Sequence, residues 1–501
     1  VNDKQYTIGV DIGTTSTKAV LYDPYLNVLD STNEGYDVIQ LEDGMAEQNP
    51  EAILQAVLAA VRGLMDKNKE LSDKIRFLSF SSAMHSVIFL DKNQDLLTNC
   101  IIWADNRSAD IVKQLKETTD WKALYKKTGT PVHSMTPLSK VLWLKETRPE
   151  VFAQTEKIIG IKEYVLHKLT GEFKVDYSLA SATGLFNIHR LEWDEDILAM
   201  AGIDKSSLPE TVDVTHTWEG IDTDAARQMH IAPDTILVIG ASDGCLSNLG
   251  VGAVDTGETA ITIGTSGAIR MVTDRIVLDP EGRTFCYYLS KNRWVIGGAV
   301  NNGGNVMSWL SSVLYPNGVY GESEQFLSEL DQMNRLAEKV PAGADKLFFY
   351  PYINGERAPL WDPEAKGSYV GLSSFHKSGH MVRAAMEGAL FNLYKVWEII
   401  QEVGGPSTSI KATGGFLNSA LWKQMLADIF GQTVYLPEEF ESSCLGAVLI
   451  GLDGTVNEST AQKDALQPNP EAVNEYRNII PLYQKMGAHI REMNNLLTEH
   501  N

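Results

Sequence analysis

Asp11 is followed by Ile12-Gly13 and then a run of hydroxyl side chains, Thr14, Thr15, Ser16 and Thr17, which ends on Lys18. A glycine turn lined with backbone N–H groups and hydroxyls is a nest for anionic oxygen. The spacing is not that of a G-x-x-x-x-G-K-[ST] phosphate loop. The same arrangement returns half a chain later as Ile263-Gly264-Thr265. One such turn is an ordinary hairpin. Two of them, one heading each half, point to duplicated domains that close on one polyphosphate. A carboxylate beside such a nest repels phosphate unless a cation lies between them. Mg²⁺ takes one or two carboxylates together with phosphate oxygens, which makes Asp11 a metal ligand; a local turn acceptor is the structural alternative. A second carboxylate, Asp243, ends the apolar run "DTILVIGASDG" (234–244) beside Gly244. Transfer of a phosphoryl group to an alcohol needs a base near the attacking hydroxyl, and Asp243 is the candidate. Its structural alternative is a cap on the following helix. The same segment contains "GASDG" (240–244), which fits the G-x-S-x-G elbow of a serine hydrolase, with Ser242 as nucleophile and His376 or His380 as base. That rival has no HGGG-type oxyanion motif and leaves both hairpins unexplained.

These residues need rigid elements to hold them, and the chain alternates strand and helix patterns throughout. Residues 6–12 and 18–23 read as strands around the first glycine turn, and 258–272 as strand, turn and strand around the second. "IRFLSFSSA" (75–83), "VIFLD" (87–91) and the run before Asp243 read as further strands. "KIIGIKEYVLHKLTG" (157–171) runs from strand into helix with Gly171 as stop. "HMVRAAMEGALFNLYKVWEIIQEV" (380–403) reads as a long amphipathic helix whose polar stripe includes Arg383, Glu387, Lys395, Glu398 and Glu402. "SIKATGGFLNSALWKQMLADIFG" (409–431) reads as strand, Gly-Gly turn and helix, closed by Gly431.

A chain of 501 residues exceeds what one hydrophobic core usually supports, so two large domains are expected. No apolar run approaches the roughly 20 residues of a membrane span. The opening "VNDKQYTIGV" has no signal-peptide pattern. Four scattered cysteines (Cys100, Cys245, Cys286, Cys444) form no C-x-x-C pair, which fits a reducing cytoplasm rather than a disulfide or zinc framework. The formal net charge of −22 argues against nucleic acid or an anionic membrane as partner. An anionic ligand must then be drawn in by local cations and dipoles.

The residues described so far resemble the FGGY family of carbohydrate kinases, within the actin–Hsp70–sugar-kinase superfamily. "MTPLSKVLWL" (135–144) is similar to one family signature, and "GSYVGLSSFHKSGHMVRAAMEG" (367–388) matches the other throughout. The resemblance runs from about residue 5 to residue 490. "FSSAMHSVIFLD", "IIWADNRS", "VDYSLASATG", "IGASDGCLSNLG" and "NNGGNV" are most similar to the gluconate-phosphorylating members, with the xylulose-phosphorylating members next. A bare actin-like ATP-driven module shares the hairpins but does not account for Met84-His85 or the 103–107 loop.

The resemblance implies an α/β protein of two RNase-H-like (actin-like ATPase) domains, each built on a mixed five-stranded sheet, with a ligand cleft between them. Residues 1–246 would bind the sugar and 247–501 the nucleotide, with a hinge near 244–256. It implies ATP and Mg²⁺ as cofactors, a sugar acid as substrate, a cytoplasmic enzyme and a possible homodimer. Asp243 becomes the catalytic base, a ligand of the terminal hydroxyl with Gly244, and a metal neighbour beside Asp11. Gly13, Thr14, Thr15 and Lys18 would meet the β- and γ-phosphates from one side, Gly264 and Thr265 from the other. Gly303 and Gly304, ahead of a helix starting near Val306, would admit phosphate. Gly414, Gly415 and Asn418 resemble the adenosine turn. Met84, His85, Trp103, Asp105, Asn106 and Arg107 would line the sugar. Arg107 or Arg270 is the candidate partner for a substrate carboxylate, because guanidinium matches carboxylate as a fork.

Overall fold

The computed structural model describes residues 4–315, 328–437, 441–452 and 464–498. By proximity the chain divides into two units. The first takes the described residues of 1–254, 273–295 and 441–459, and the second those of 255–272, 296–440 and 460–501. The boundary expected at 246/247 falls inside the helix Asp243–Gly250, which stays whole within the first unit.

The first unit is organised by the strand Tyr6–Ile12. It pairs antiparallel with Ser16–Tyr22, which pairs in turn with Val28–Gly35. On its other side it pairs parallel with Ile75–Ser82, which is followed by Ile236–Ser242. This is the expected mixed five-stranded sheet. A sixth strand, Thr217–Trp218, joins the edge antiparallel to Ile236–Ser242, an addition too short to show in the hydrophobic pattern. Ile8, Val10 and Ile12 alternate onto one face and are fully buried. The helix Pro50–Lys67 covers them with Ile53, Val57, Val61 and Leu64. Its start is set by Asn49, whose side chain accepts from Glu51 N, and by Pro50 in the first turn.

A second helix of this unit comes from far along the chain. Ser442–Gly451 packs on Tyr6–Ile12, Ile75–Ser82 and the helix Asp243–Gly250. A side chain at Gly446 would collide with the Leu246 carbonyl, and one at Gly9 with that of Cys444. Glycine at those positions lets the backbones touch.

In the second unit Glu258–Ile263 pairs antiparallel with Gly267–Thr273 and parallel with Ser409–Thr413. Val434–Leu436 extends the sheet in parallel, and Asp464–Leu466 closes it antiparallel. The helix Ser378–Gly404 supplies much of the core, with Val382, Leu390, Leu393 and Ile400 fully buried. The polar stripe read along this helix is corrected at its start. Arg383 and Glu387 are buried, and their 3.0 Å ion pair is joined by the Tyr476 hydroxyl, 2.8 Å from Glu387. Periodicity reports polarity, and a paired charge can satisfy itself inside the core. Among the described residues no helix is long and apolar enough to cross a membrane.

Candidate active site

Asp11 lies near the end of the central strand, in register with Lys18 on one side and Ser81 on the other. The Ser81 hydroxyl donates to Asp11 Oδ1 at 2.6 Å. Asp11 is partly buried, and the desolvation of its carboxyl, added to the charge of Asp243, pushes its pKa up to about 7. The two carboxylates thus share a neighbourhood, and the charge of Asp243 raises the cost of ionising Asp11. Asp243 opens the helix Asp243–Gly250, and its Oδ1 accepts from Gly244 N at 2.6 Å. A hard divalent cation fits this donor set, since it would relieve the repulsion between two oxygen ligands. Among the described residues no group of three or more His, Cys, Asp or Glu could hold a metal.

The end of the strand leading to Asp243 is held by residues that lie in the resembling stretches 160–166 and 175–184 but whose contacts the motifs did not reveal. Lys162, itself buried, pairs with buried Asp176 at 2.6 Å and donates to the carbonyls of Ile239 at 3.0 Å and Ala241 at 3.3 Å. Ser242 is fully buried, with its Oγ 2.9 Å from Ser178 Oγ. A nucleophile elbow needs an exposed hydroxyl, so the hydrolase reading falls. His380 is occupied too: its Nδ1 accepts from Lys377 N at 3.0 Å, and its Nε2 lies 3.2 Å from Asp345 Oδ2.

The first glycine turn is braced through its carbonyls. Tyr36 Oη donates to Gly13 O and Gln48 Nε2 to Thr14 O, each at 2.6 Å. Trp103 Nε1 donates to Thr14 Oγ1 at 3.0 Å, which ties the turn to the 103–107 loop. Thr15 is exposed. Lys18 Nζ is held by Glu441 Oε1 at 2.6 Å, a partner 423 residues away with no signal in the local pattern.

In the second unit the residues expected to meet nucleotide gather at one place. Gly304 N donates to Gly264 O at 2.7 Å, and Asn305 N to Thr265 O at 3.1 Å. The second turn therefore lies on the first residues of the helix Asn305–Leu314. A Cβ at Gly303 or Gly304 would stand 2.7 Å from Ser266 O or Gly264 O respectively. Gly414, at φ 112°, approaches the Ile263 carbonyl so closely that a side chain would collide with it. Gly415 and Asn418 are exposed in the short turn Gly415–Asn418 that follows. This cluster rests on a buried carboxylate that the motifs did not flag. Glu356 Oε1 accepts from Asn301 N at 2.5 Å and Arg357 N at 2.8 Å. Its Oε2 accepts from the side-chain amides of Asn302 at 3.0 Å and Asn392 at 2.9 Å.

The expected sugar residues lie in the first unit, apart from Arg270. His85 is nearly buried, at φ 68°, with Nδ1 2.8 Å from the Ala182 carbonyl. A carbonyl can only accept, so Nδ1 carries the proton. Met84 beside it is partly exposed. Asp105 is buried and accepts from Ala46 N at 2.8 Å. Arg107 stacks over Trp143 at 4.5 Å and pairs with Glu47 at 2.5 Å, Asp105 at 2.8 Å and Glu42 at 3.4 Å. Its guanidinium ties loops together and is already surrounded by carboxylate. Arg270 lies on the strand Gly267–Thr273 of the second unit, opposite Ala260.

Comparison with known proteins agrees with this organisation. Residues 6–250 match the N-terminal domain of the FGGY family of carbohydrate kinases, and residues 259–452 match its C-terminal domain. The chain is 46% identical to the gluconokinase of Bacillus licheniformis, over 95% of this chain and 94% of that one. Its identity to the xylulose kinase of Bacillus subtilis (strain 168) is 29%, over 98% and 99% of the two chains. Among solved structures, the gluconate kinase of Lactobacillus acidophilus superposes with a TM-score of 0.90 at 38% identity, covering 97% of this chain and 98% of that one. A ligand-bound xylulose kinase from the same organism gives 0.92 at 37%, covering 98% and 99%. With both family domains matched in order along the chain and a 46% identical relative covered almost end to end, the protein belongs to the FGGY family of carbohydrate kinases.

Proposed function

We propose that this kinase transfers the γ-phosphoryl group of ATP to the terminal hydroxyl of D-gluconate, giving 6-phospho-D-gluconate. The observation that carries the substrate is the 46% identity to a gluconokinase over nearly the full length of both chains, against 29% for a xylulose kinase. The chain is an ATP-dependent carbohydrate kinase that works with Mg²⁺. When bound, Mg²⁺ supplies charge that neutralises the phosphates. Asp11 and Asp243 are the residues we assign to its shell.

The chain's own residues have separable tasks in this reading. Asp243 accepts the proton of the sugar's terminal hydroxyl as that oxygen forms its bond to phosphorus and the bond to ADP breaks. Asp243 reaches this position because Lys162 and Ser178 hold the strand end before it. Thr14, Thr15 and Lys18 meet phosphate from the first turn, and Lys18 must exchange part of its Glu441 contact to do so. Gly264, Thr265, Gly303 and Gly304 meet it from the second, and Gly414, Gly415 and Asn418 take the adenosine. Met84, His85, Trp103 and Asp105 orient the polyol, so that residues 1–246 carry most of the sugar side and 247–501 the nucleotide side. The gluconate carboxylate falls to Arg270, because Arg107 is already enclosed by Glu42, Glu47 and Asp105. Four buried free cysteines support a reducing cytoplasm as the compartment.

A second reading, xylulose as substrate, is favoured by the 37% identity to a solved xylulose kinase. A coupled assay of ADP release with D-gluconate, D-xylulose, L-ribulose, glycerol and erythritol separates the two. The highest kcat/KM on gluconate is expected. A higher value on xylulose moves the substrate and leaves the kinase.

A further inference from the structure

Lys140 is completely buried in the helix Pro137–Thr147, and among the described residues no carboxylate forms an ion pair with its ammonium. Instead Nζ donates to three main-chain carbonyls: His85 O at 2.7 Å, Ile102 O at 2.7 Å and Met135 O at 2.8 Å. An ammonium has three N–H groups and no acceptor, so three carbonyls consume it fully. Burial pulls its pKa down to about 7, opposed by the charge of Asp105. Three acceptors in reach of three N–H groups favour the charged form.

What matters is where those carbonyls sit. His85 belongs to the Met84–His85 corner, and Ile102 immediately precedes Trp103. Met135 leads into the helix that bears Lys140. The Ile102 carbonyl also accepts from Asp105 N at 3.1 Å, which closes the turn carrying the 103–107 loop. The same helix start holds that loop at a second point, through Ser134 Oγ to Asn106 Oδ1 at 2.8 Å.

We propose that Lys140 is the positioning residue of the sugar site, a single ammonium that sets the Met84–His85 corner, the 103–107 loop and the 133–136 segment against one another without touching substrate. The proposal rests on the sugar site assigned above. A site assembled from separate segments loses its geometry when they shift, and a displacement of about 1 Å can cost of the order of a hundredfold in rate. Methionine at this position keeps the chain length and supplies no donor, which leaves three buried carbonyls to rearrange.

The test compares Lys140→Met with Leu64→Ala, a cavity in the core of the same unit, by titrating the preferred sugar and ATP–Mg²⁺ separately and by steady-state kinetics. Lys140→Met should weaken sugar binding and raise the sugar KM at least tenfold, with nucleotide affinity within twofold of the parent. Leu64→Ala should lower the unfolding temperature and leave the sugar KM within twofold. Sugar affinity within twofold in Lys140→Met, or equal losses for sugar and nucleotide, overturns the proposal. Should Lys140→Met fail to fold, hydrogen exchange on the parent decides. Sugar should protect amides in 84–88, 101–107 and 133–136 together while nucleotide leaves them unchanged. Protection of one segment without the others overturns Lys140's role, whereas sugar that binds and protects none overturns the sugar-site assignment itself.

Discussion

At the scale of single residues, the same chemical group performs opposite tasks according to what surrounds it. Asp243 is at the start of a helix beside a second carboxylate, and in the function we propose it accepts the proton of the sugar hydroxyl. Asp243→Asn removes that basicity while keeping the shape. Turnover at saturating sugar should fall by about 10²–10⁴-fold with ATP–Mg²⁺ still bound, as read by single-turnover kinetics and nucleotide titration. Glu163 is a carboxyl with a different fate. Burial is the main cause that pushes its pKa up to about 7, and Asp176 adds to it against the pull of Lys162. Between the ordinary value of 4.5 and about 7 the folded state holds a proton that the unfolded state has released. Stability therefore falls as pH rises through that window, by up to about 1.4 kcal/mol per unit, and the full cost is present above it. Glu163→Gln cannot titrate. Its unfolding midpoint relative to the parent should climb from pH 5 to pH 7 and then level off; a difference constant with pH would show that Glu163 ionises normally in the fold.

At the scale of elements, strands and turns were the legible part of the chain. The two hairpins, the run before Asp243 and the helix stops at Gly171 and Gly431 follow from apolar periodicity and glycine in the left-handed region, and they stand where the pattern places them. The supports of the site were not legible. Lys18 meets Glu441, Lys162 meets Asp176, and Glu356 collects four donors from three separate segments. These contacts depend on the tertiary arrangement, and nothing within a helical turn or a strand repeat announces them. Arg107 stayed open between two roles for the same reason, since a guanidinium awaiting substrate and one that ties loops together through three carboxylates read alike in one dimension. Glu356 gives the sharpest test of an element's dependence on such support. In Glu356→Gln an NH₂ group faces donors that had a carboxylate oxygen, and each lost charged hydrogen bond is worth roughly 1.5–3 kcal/mol. The segment Asn301–Gly304 should lose its fixed path into the helix Asn305–Leu314. Nucleotide affinity is expected to fall at least tenfold in calorimetry while sugar affinity measured alone stays at the parental value; a variant with parental affinity for both would leave Glu356 a bystander.

At the scale of the whole molecule, the first unit is discontinuous in the chain. The helix Ser442–Gly451 buries Leu445, Val448, Leu449 and Ile450 against strands formed some four hundred residues earlier. Burial of a large aliphatic side chain contributes roughly 1.5–3 kcal/mol, so these four are comparable to the 5–15 kcal/mol that stabilises a typical domain. A chain ending at residue 440 should therefore lose the cooperative folding of its first unit. Calorimetry and circular dichroism check this, and a truncated chain melting like the parent would mean that the helix adds little. The same feature acts on the ribosome's clock. A synthesis rate of about 5–20 residues per second leaves the nascent first unit waiting roughly 20–90 s between its first strands and the helix that covers them. For that interval an apolar groove over Ile75–Ser82 and Tyr6–Ile12 stays open on the nascent chain. Any holding chaperone that binds extended apolar segments should engage it then, and should be released once residue 452 has emerged.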